Sequence, residues 1–323
     1  MQATFRPFAA AALLGATVLA ACGGTVAATS DGESTRASRA AADRVIAQAV
    51  GDNPQARSGR ISGTVDVDID ISGLPLLDGQ TQVTADGVYD LADGASVPDF
   101  DIDASLRHNE HLLAGALVLD DRTGYVKLGT TGYKVPDGIT HALTEPALDA
   151  HNGLTKLGAM FYINPQDWQR NARLVGETTI AGEAVQHIKA NISPRAFFLD
   201  VSRMVQALAR LGVPQALGLP TELGPKLRAA LVRSVTVAEG EAWIGKDDHV
   251  LRKARARGKL VVAKGDRDLL YGLKKGSITA NLDVSEVGDA HTIAAPHTLG
   301  SYSDLVLALT ALAEAVRKEA SHR

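Results

Sequence analysis

Residues 60–71 alternate between polar and apolar side chains, and this alternation limits the fold more than any other feature of the chain. A period of two is the repeat of a β-strand that has one polar face and one apolar face. The even positions carry Arg, Ser, Thr and Asp, whereas most odd positions are apolar: Ile61, Val65, Val67, Ile69 and Ile71. Such a strand belongs to a sheet whose apolar face must be covered by other elements.

Turn signals separate further segments of strand character along the chain. These segments are residues 81–90, 99–107, 112–119, 125–128, 173–179, 184–192, 234–244, 250–263 and 277–287. The short connections between most of them predict antiparallel pairing, and a flat open sheet of this size is uncommon. The sequence therefore predicts an α+β fold with one large, strongly curled antiparallel sheet.

Helical segments interrupt the strand pattern and are the elements available to cover the sheet. Ser193-Pro194 is a helix start, and the residues after it place Phe197, Phe198 and Met204 on one apolar stripe. Further helices are predicted over residues 35–50, within 140–168, over 225–232 and after Ser303. The segment 194–233 is thus a helical insertion between two strand pairs, and its glycines and prolines make it a candidate gate.

The N-terminus has the pattern of a bacterial lipoprotein signal. An apolar run from Phe8 to Ala20 follows Arg6 and ends at Leu19-Ala20-Ala21-Cys22, and the run is too short to span a bilayer. We expect cleavage of residues 1–21, lipidation of Cys22 with acyl chains such as palmitate, a flexible tether over 22–34 and a single domain over 35–323. The alternative is an ordinary secretory peptide with a chance cysteine. The lipid predicts an extracytoplasmic protein anchored to the outer face of the bacterial cell membrane.

Composition excludes some functions. The chain has 37 acidic and 33 basic residues, which does not favour nucleic acid as a partner. Cys22 is its one cysteine, so no intramolecular disulfide can form. Aromatic residues make up only 4%, leaving few rings on which sugars or bases stack.

Three polar groups resemble functional sites but have simpler interpretations. Asp66, Asp68 and Asp70, like the aspartates at 99, 101 and 103, are spaced along a strand too widely to share a calcium ion, so a solvated strand face is favoured. His108, Glu110 and His111 fall at a predicted turn and lack the further ligands that zinc needs. We therefore predict no metal site.

A third group, the basic residues between Arg252 and Lys275, has two interpretations that stay open. The side chains of one strand face could meet anionic headgroups, or they could pair with the acidic rows across the sheet. No hydrolase, metalloprotease, phosphate-loop or dinucleotide motif is present, so we predict neither catalysis nor a cofactor.

Three stretches resemble the actinobacterial LppX/LprA/LprF/LprG-type lipoproteins, which are related by fold to the carriers LolA and LolB. They are residues 112–136 with a Tyr-Val-Lys step, 174–192 with a Gly-Glu hairpin, and 237–260 with a tryptophan strand that turns through Lys-Asp-Asp. The resemblance implies a half-barrel whose concave apolar face is covered by helices and encloses a cavity for acyl chains. The long insertion at 194–233 departs from the family pattern.

The predicted function is that of a cell-envelope lipoprotein that binds or ferries a lipid or another amphiphile. One alternative is an envelope adaptor or stress sensor that uses the same fold to bind a protein, and a second is an enzyme, which would need converging polar groups inside a pocket. No transport partner is identified. The same side chains serve as core or as cavity lining. The candidate lipid-binding residues are Val65, Val67, Ile69, Val83, Ile102, Leu113, Leu117, Ile188, Phe197, Phe198, Met204 and Leu208.

Overall fold

The computed structural model describes residues 32–74, 77–108, 111–162, 164–210, 221–308 and 310–311 of the 323-residue chain. The predicted signal peptide, Cys22 and most of the predicted tether lie outside the described residues.

Twelve strands form one sheet, in the order β12-β6-β5-β4-β3-β2-β1-β11-β10-β9-β8-β7. All neighbouring strands are antiparallel except β12 and β6, which are parallel. The strands are β1 (Ser58–Ile71), β2 (Gly79–Asp90), β3 (Asp99–His108), β4 (His111–Asp120), β5 (Thr123–Leu128), β6 (Thr131–Lys134), β7 (Gln169–Ile180), β8 (Glu183–Ile192), β9 (Val235–Gly245), β10 (Leu251–Val261), β11 (Leu273–Ser285) and β12 (Leu299–Gly300). The predicted large antiparallel sheet is confirmed, and β6 and β12 are additions that the sequence pattern did not reveal.

Helices precede, interrupt and follow the sheet. They are α1 (Gly32–Val50), α2 (Asp137–Thr144), α3 (Gly153–Met160), α4 (Pro165–Trp168), α5 (Pro194–Arg210), α6 (Pro225–Ser234) and α7 (302–308), with short 3₁₀ helices at Pro54–Arg57, Glu145–Asp149 and Lys264–Asp266. The insertion predicted at 194–233 thus contains α5 and α6. The final helix begins before Ser303, because the Ser301 hydroxyl accepts a 3.1 Å hydrogen bond from the Asp304 amide and caps it.

β1 lies in the middle of the sheet, and its alternating apolar and polar side chains face opposite sides. Val65 is paired with Val83 of β2 and Ala280 of β11, and all three are buried. The next residue, Asp66, points to the other face, where its carboxylate accepts a 2.8 Å hydrogen bond from Gln82. The odd positions of β1 therefore face inward and the aspartates face outward, as the period of two predicts.

The inward face of the sheet is covered by helices at two places. Leu154, Leu157 and Met160 of α3 pack on the central strands in the main core, and Trp168 of α4 joins them. Ala42 and Val45 of α1 pack over the β7–β9 end, in a second cluster. Helices thus cover the apolar face of an open, curled sheet, which is the arrangement that the sequence predicts.

Ion pairs and one ring contact on the outward face of the sheet involve most of the basic residues between Arg252 and Lys275. Lys253 pairs with Asp283 at 2.7 Å, and Lys274 pairs with Asp70 at 2.9 Å. Arg257 pairs with Glu239 at 2.7 Å, and the guanidinium of Arg255 lies 5.7 Å from the ring centroid of Trp243. Cross-strand pairing, one of the two interpretations left open by the sequence, therefore holds for these residues.

His108 lies where β3 meets β4, as predicted, and pairs with His111 in the strand register. It is the last residue of β3 and is buried, and its Nδ1 lies 2.7 Å from the hydroxyl of Thr81 on β2. Glu110 and the side chain of His111 lie outside the described part of the structure. Among the described residues, no group of His, Cys, Asp or Glu is arranged to hold a metal ion.

A candidate apolar ligand-binding cavity

A cavity of about 210 Å³ lies between the inward face of the sheet and helix α5. Its floor consists of side-by-side positions on four neighbouring strands. One row comprises Val67, Ile278, Gly258 and Ala238, and the next comprises Ile69, Gly276, Leu260 and Val235. Ala256 and Ala280 extend the floor toward the core.

Small residues on β9, β10 and β11 leave the space open. Ala238, Ala256, Gly258 and Gly276 contribute little or no side chain to the floor. Gly258 has no room for more, since a Cβ there would lie 2.7 Å from the Cγ2 of Ile278. The small side chains leave unfilled volume between this part of the sheet and α5.

The wall opposite the floor is aromatic. Phe197 of α5 meets Trp168 edge to face, with ring centroids 5.2 Å apart, and meets Phe198 at the same distance and in a similar geometry. Such edge-to-face pairs are favourable beyond the area that they bury. Ile192 and Pro194 complete the wall where β8 leads into α5.

A buried carboxylate holds this wall in place. Asp200 of α5 is only 4% exposed, and its Oδ2 accepts hydrogen bonds from the indole of Trp168 at 2.8 Å and from the Asn164 amide at 3.2 Å. The guanidinium of Arg203 donates to Oδ1 at 2.9 Å. Burial raises the pKa of the Asp200 carboxyl, and these donors oppose that rise. The contacts join α4 to α5, which is a structural role.

The only other buried charged side chain among the described residues is also held by structural contacts. Lys156 of α3 donates hydrogen bonds to the backbone oxygens of Ser96 at 2.9 Å and Ala147 at 3.1 Å. Burial lowers the pKa of its ammonium group. Neither Lys156 nor Asp200 is among the residues that line the cavity.

Four of the twelve predicted lipid-binding residues line the cavity: Val67, Ile69, Phe197 and Phe198. All four are half-buried, as expected for side chains that border open space. The others lie elsewhere. Val65, Val83 and Ile102 are buried in the main core, and Leu113 and Leu117 pack against that core.

The remaining three are placed on or beneath helices. Ile188 is fully buried in the cluster beneath α1, and Met204 is buried on α5. The side chain of Leu208 lies outside the described residues. The predicted residues on the strands that do not line the cavity belong to or pack against the two core clusters, because helices cover their part of the sheet.

The sequence contained a further signal for the floor. In residues 252–260 of β10, small residues at 254, 256 and 258 alternate with basic ones. Alternation of this kind predicts an inward face that is too small to fill the space beneath a helix. The basic residues of this segment do not by themselves indicate a cavity floor.

No model of a known protein family matches the chain, and the search of curated proteins gives no match. Solved structures similar to it include LprF from Mycobacterium bovis, with 17% identity and a TM-score of 0.36, covering 80% of this chain and 97% of LprF. The lipoprotein LppX from Mycobacterium tuberculosis has 14% identity and a TM-score of 0.37, covering 79% of this chain and 99% of LppX.

A LolA-superfamily protein from Nitrosomonas europaea is also similar, with 8% identity and a TM-score of 0.24, covering 78% of this chain and 94% of that protein. LprF and LppX are two of the lipoproteins named in the resemblance that the sequence carries.

Within the described part of the chain, no helix combines the length and the apolar character needed to cross a membrane.

Proposed function

We propose that this protein is a membrane-anchored envelope lipoprotein that binds or ferries a lipid or another amphiphile. The observation that supports the proposal is the apolar cavity between the sheet and α5, with its floor of aliphatic and small residues and its aromatic wall. An adaptor with the same fold would have a filled cavity, so the open space favours a ligand-binding protein over a protein-binding one.

The size of the cavity bears on the ligand. Sites for small molecules enclose about 300–1,000 Å³. The cavity here is smaller, about 210 Å³. It suits one acyl chain or part of one, and a lipid with several chains would require α5 to move away from the sheet.

The ligand is tested by native mass spectrometry of the full-length protein, purified without added lipid, in wild-type and cavity-filled forms. Ala256 lies on the floor, so Ala256→Phe occupies the space directly. Ala263, exposed beyond the end of β10, provides the matched control Ala263→Phe. We expect a copurified amphiphile with the wild type and the control and none with Ala256→Phe. A folded Ala256→Phe variant that keeps the amphiphile would contradict the proposed site.

The membrane anchor is a separate part of the proposal and rests on Cys22. Cys22→Ala removes the one thiol of the chain. We expect it to abolish metabolic labelling with palmitate and to leave the fold unchanged, because no disulfide depends on that thiol. A variant that still incorporates palmitate would show that the anchor has been assigned to the wrong residue.

A further inference from the structure

The connection between β10 and β11, residues 262–272, is a turn at one end of the central strands. Val262, Leu270 and Leu273 are buried in a small cluster with Ala230 of α6. The Gly272 amide donates a 2.7 Å hydrogen bond to the Arg267 oxygen. The turn is also tied to the β1–β2 connection, where the Gly73 amide donates a 2.8 Å hydrogen bond to the Tyr271 oxygen.

Three apolar or aromatic side chains on and beside this turn point into solvent. Val261 is 59% exposed, Leu269 is 42% exposed and Tyr271 is 45% exposed. Tyr271 also has a φ of +56°, a left-handed conformation that bulky residues rarely adopt. Strained backbone positions cluster at functional sites, so an exposed aromatic ring at such a position is a candidate for a binding role.

The β10–β11 connection and the strand residues that flank it are rich in basic side chains. Residues 259–275 contain five basic residues, Lys259, Lys264, Arg267, Lys274 and Lys275, against two acidic ones, Asp266 and Asp268. The acidic Asp266 is itself paired with Arg233 at 3.0 Å. Lys259, Lys264 and Lys275 are exposed, and none of them pairs with an acidic side chain in the described part of the chain. Lys275 lies opposite Asp70 of β1, but Lys274 forms the ion pair with Asp70 and is the main cause of the lowered pKa of that carboxyl, to which Lys275 also contributes.

This surface adjoins the cavity. Lys259 is one of the residues that line the cavity, directly before Leu260 of the floor. The next pair toward the turn, Val261 and Lys275, projects from the opposite face of the sheet. A membrane in contact with Lys259 and the turn would therefore lie beside the cavity.

We propose that Lys259, Val261, Lys264, Leu269, Tyr271 and Lys275 form a surface that docks on an anionic phospholipid bilayer. Exposed lysines are attracted to anionic headgroups, and tyrosine and aliphatic side chains enter the interfacial layer beneath them. This docking surface goes beyond ligand binding in the cavity, because it would orient the anchored domain whether or not the cavity holds a ligand.

The test uses the full-length, lipidated protein with a fluorescent probe on an introduced cysteine. Cys22 is the only native cysteine, so once it carries lipid, Leu269→Cys supplies a single reactive thiol at the docking surface. Asp247→Cys, exposed at the other end of β10, is the matched control label. Each protein is reconstituted into vesicles of phosphatidylcholine alone, or with about 30% phosphatidylglycerol as the anionic lipid, and both contain a lipid-borne quencher.

We expect the probe at position 269 to be quenched about threefold more strongly in the anionic vesicles, and the probe at 247 to respond equally in both. Lys264→Glu with Lys275→Glu should abolish the difference, whereas Arg122→Glu with Lys246→Glu, at the opposite end of the strands, should not. About 0.5 M salt should abolish it in the unsubstituted protein as well. Equal quenching at 269 in both kinds of vesicle, or an equal gain at 247, would overturn the docking surface, and neither outcome bears on the ligand in the cavity.

Discussion

The indole nitrogen of Trp168 donates a 2.8 Å hydrogen bond to the buried carboxylate of Asp200, and this contact sets the aromatic wall of the cavity. Trp168 also packs edge to face on Phe197. One side chain is thus fixed by a polar contact at its edge and an aromatic contact on its ring. The position of α5 over the sheet therefore depends on a carboxylate that does not itself line the cavity.

Asp200→Ala should destabilise the protein by about 2–4 kcal/mol, because removing a buried carboxylate leaves several of its donors without a partner. Urea unfolding measures the loss, and tryptophan fluorescence reports the change around Trp168. Asp167→Ala is the matched control, since Asp167 is exposed on α4 and binds only Asn164 within the described residues. The control should change the free energy of unfolding by less than about 0.5 kcal/mol. Equal losses in the two variants would contradict the structural role of Asp200.

Asp200 should also leave a signature in the pH dependence of stability. Burial raises its pKa in the folded protein above the unfolded value, so the folded state binds more protons between those two pKa values. The contribution of Asp200 to stability is therefore present below the unfolded pKa and falls as the pH rises through the folded pKa. The asparagine side chain of Asp200→Asn does not titrate, so this variant lacks the pH dependence that Asp200 contributes.

The free energy of unfolding of the wild type minus that of Asp200→Asn should accordingly decrease as the pH rises above about 4, the ordinary pKa of an aspartate. Urea titrations of both proteins across this range measure the difference, and subtraction removes the contributions of the other carboxylates. A difference that rises with pH would mean that the hydrogen bonds outweigh burial and that the pKa of Asp200 is lowered.

The two phenylalanines on α5 should respond differently to truncation. Phe197 packs against the main core and Trp168, whereas Phe198 lines the cavity and contacts Phe197. Complete burial of Phe makes Phe→Ala cost about 3–5 kcal/mol, and both residues are only half-buried. We expect a loss of about 2–3 kcal/mol for Phe197→Ala and less for Phe198→Ala.

Both phenylalanine variants should weaken binding of a fluorescent fatty acid by about fivefold or more, since each removes part of the aromatic wall. Leu199→Ala is a control on the exposed side of the same helix and should leave binding unchanged. If Phe198→Ala binds the fatty acid as tightly as the wild type does, Phe198 has no lining role.

The sheet could be predicted from the sequence because alternation is a local property. Residues 60–71 show a period of two whatever lies next to them, and β1 forms as that pattern predicts. β6 has only four residues and β12 only two, which is too short for any pattern to emerge. Their pairing depends on where the chain returns after distant elements.

The cavity could be predicted only in part, because empty space is not a property of any single segment. Val65 and Val67 occupy equivalent positions in the alternation of β1. Val65 is 1% exposed and belongs to the core, whereas Val67 is half-buried and lines the cavity. The difference arises from the small residues on β9–β11 and from the place where α5 crosses the sheet, and both involve contacts between residues far apart in sequence.

The last prediction concerns how a ligand enters. The cavity is bounded by strands on one side and by α5 on the other, and opening the sheet would break its ladder of hydrogen bonds. The glycines and prolines between α5 and α6 predict hinges from the sequence, and residues 211–220 of this segment lie outside the described residues. Movement of the 194–233 insertion should therefore admit the ligand, and ligand binding should restrict that movement.

Hydrogen exchange with and without a bound fatty acid tests this gate. Protection should rise by about tenfold in α5 and less in β10 and β11, because the strands are held by their neighbours in either state. α3 is the control helix, since it packs on the core away from the cavity and should not respond. Strands that gain as much protection as α5 would indicate general stabilisation by the ligand, and an unchanged α5 would mean that the ligand enters by another route.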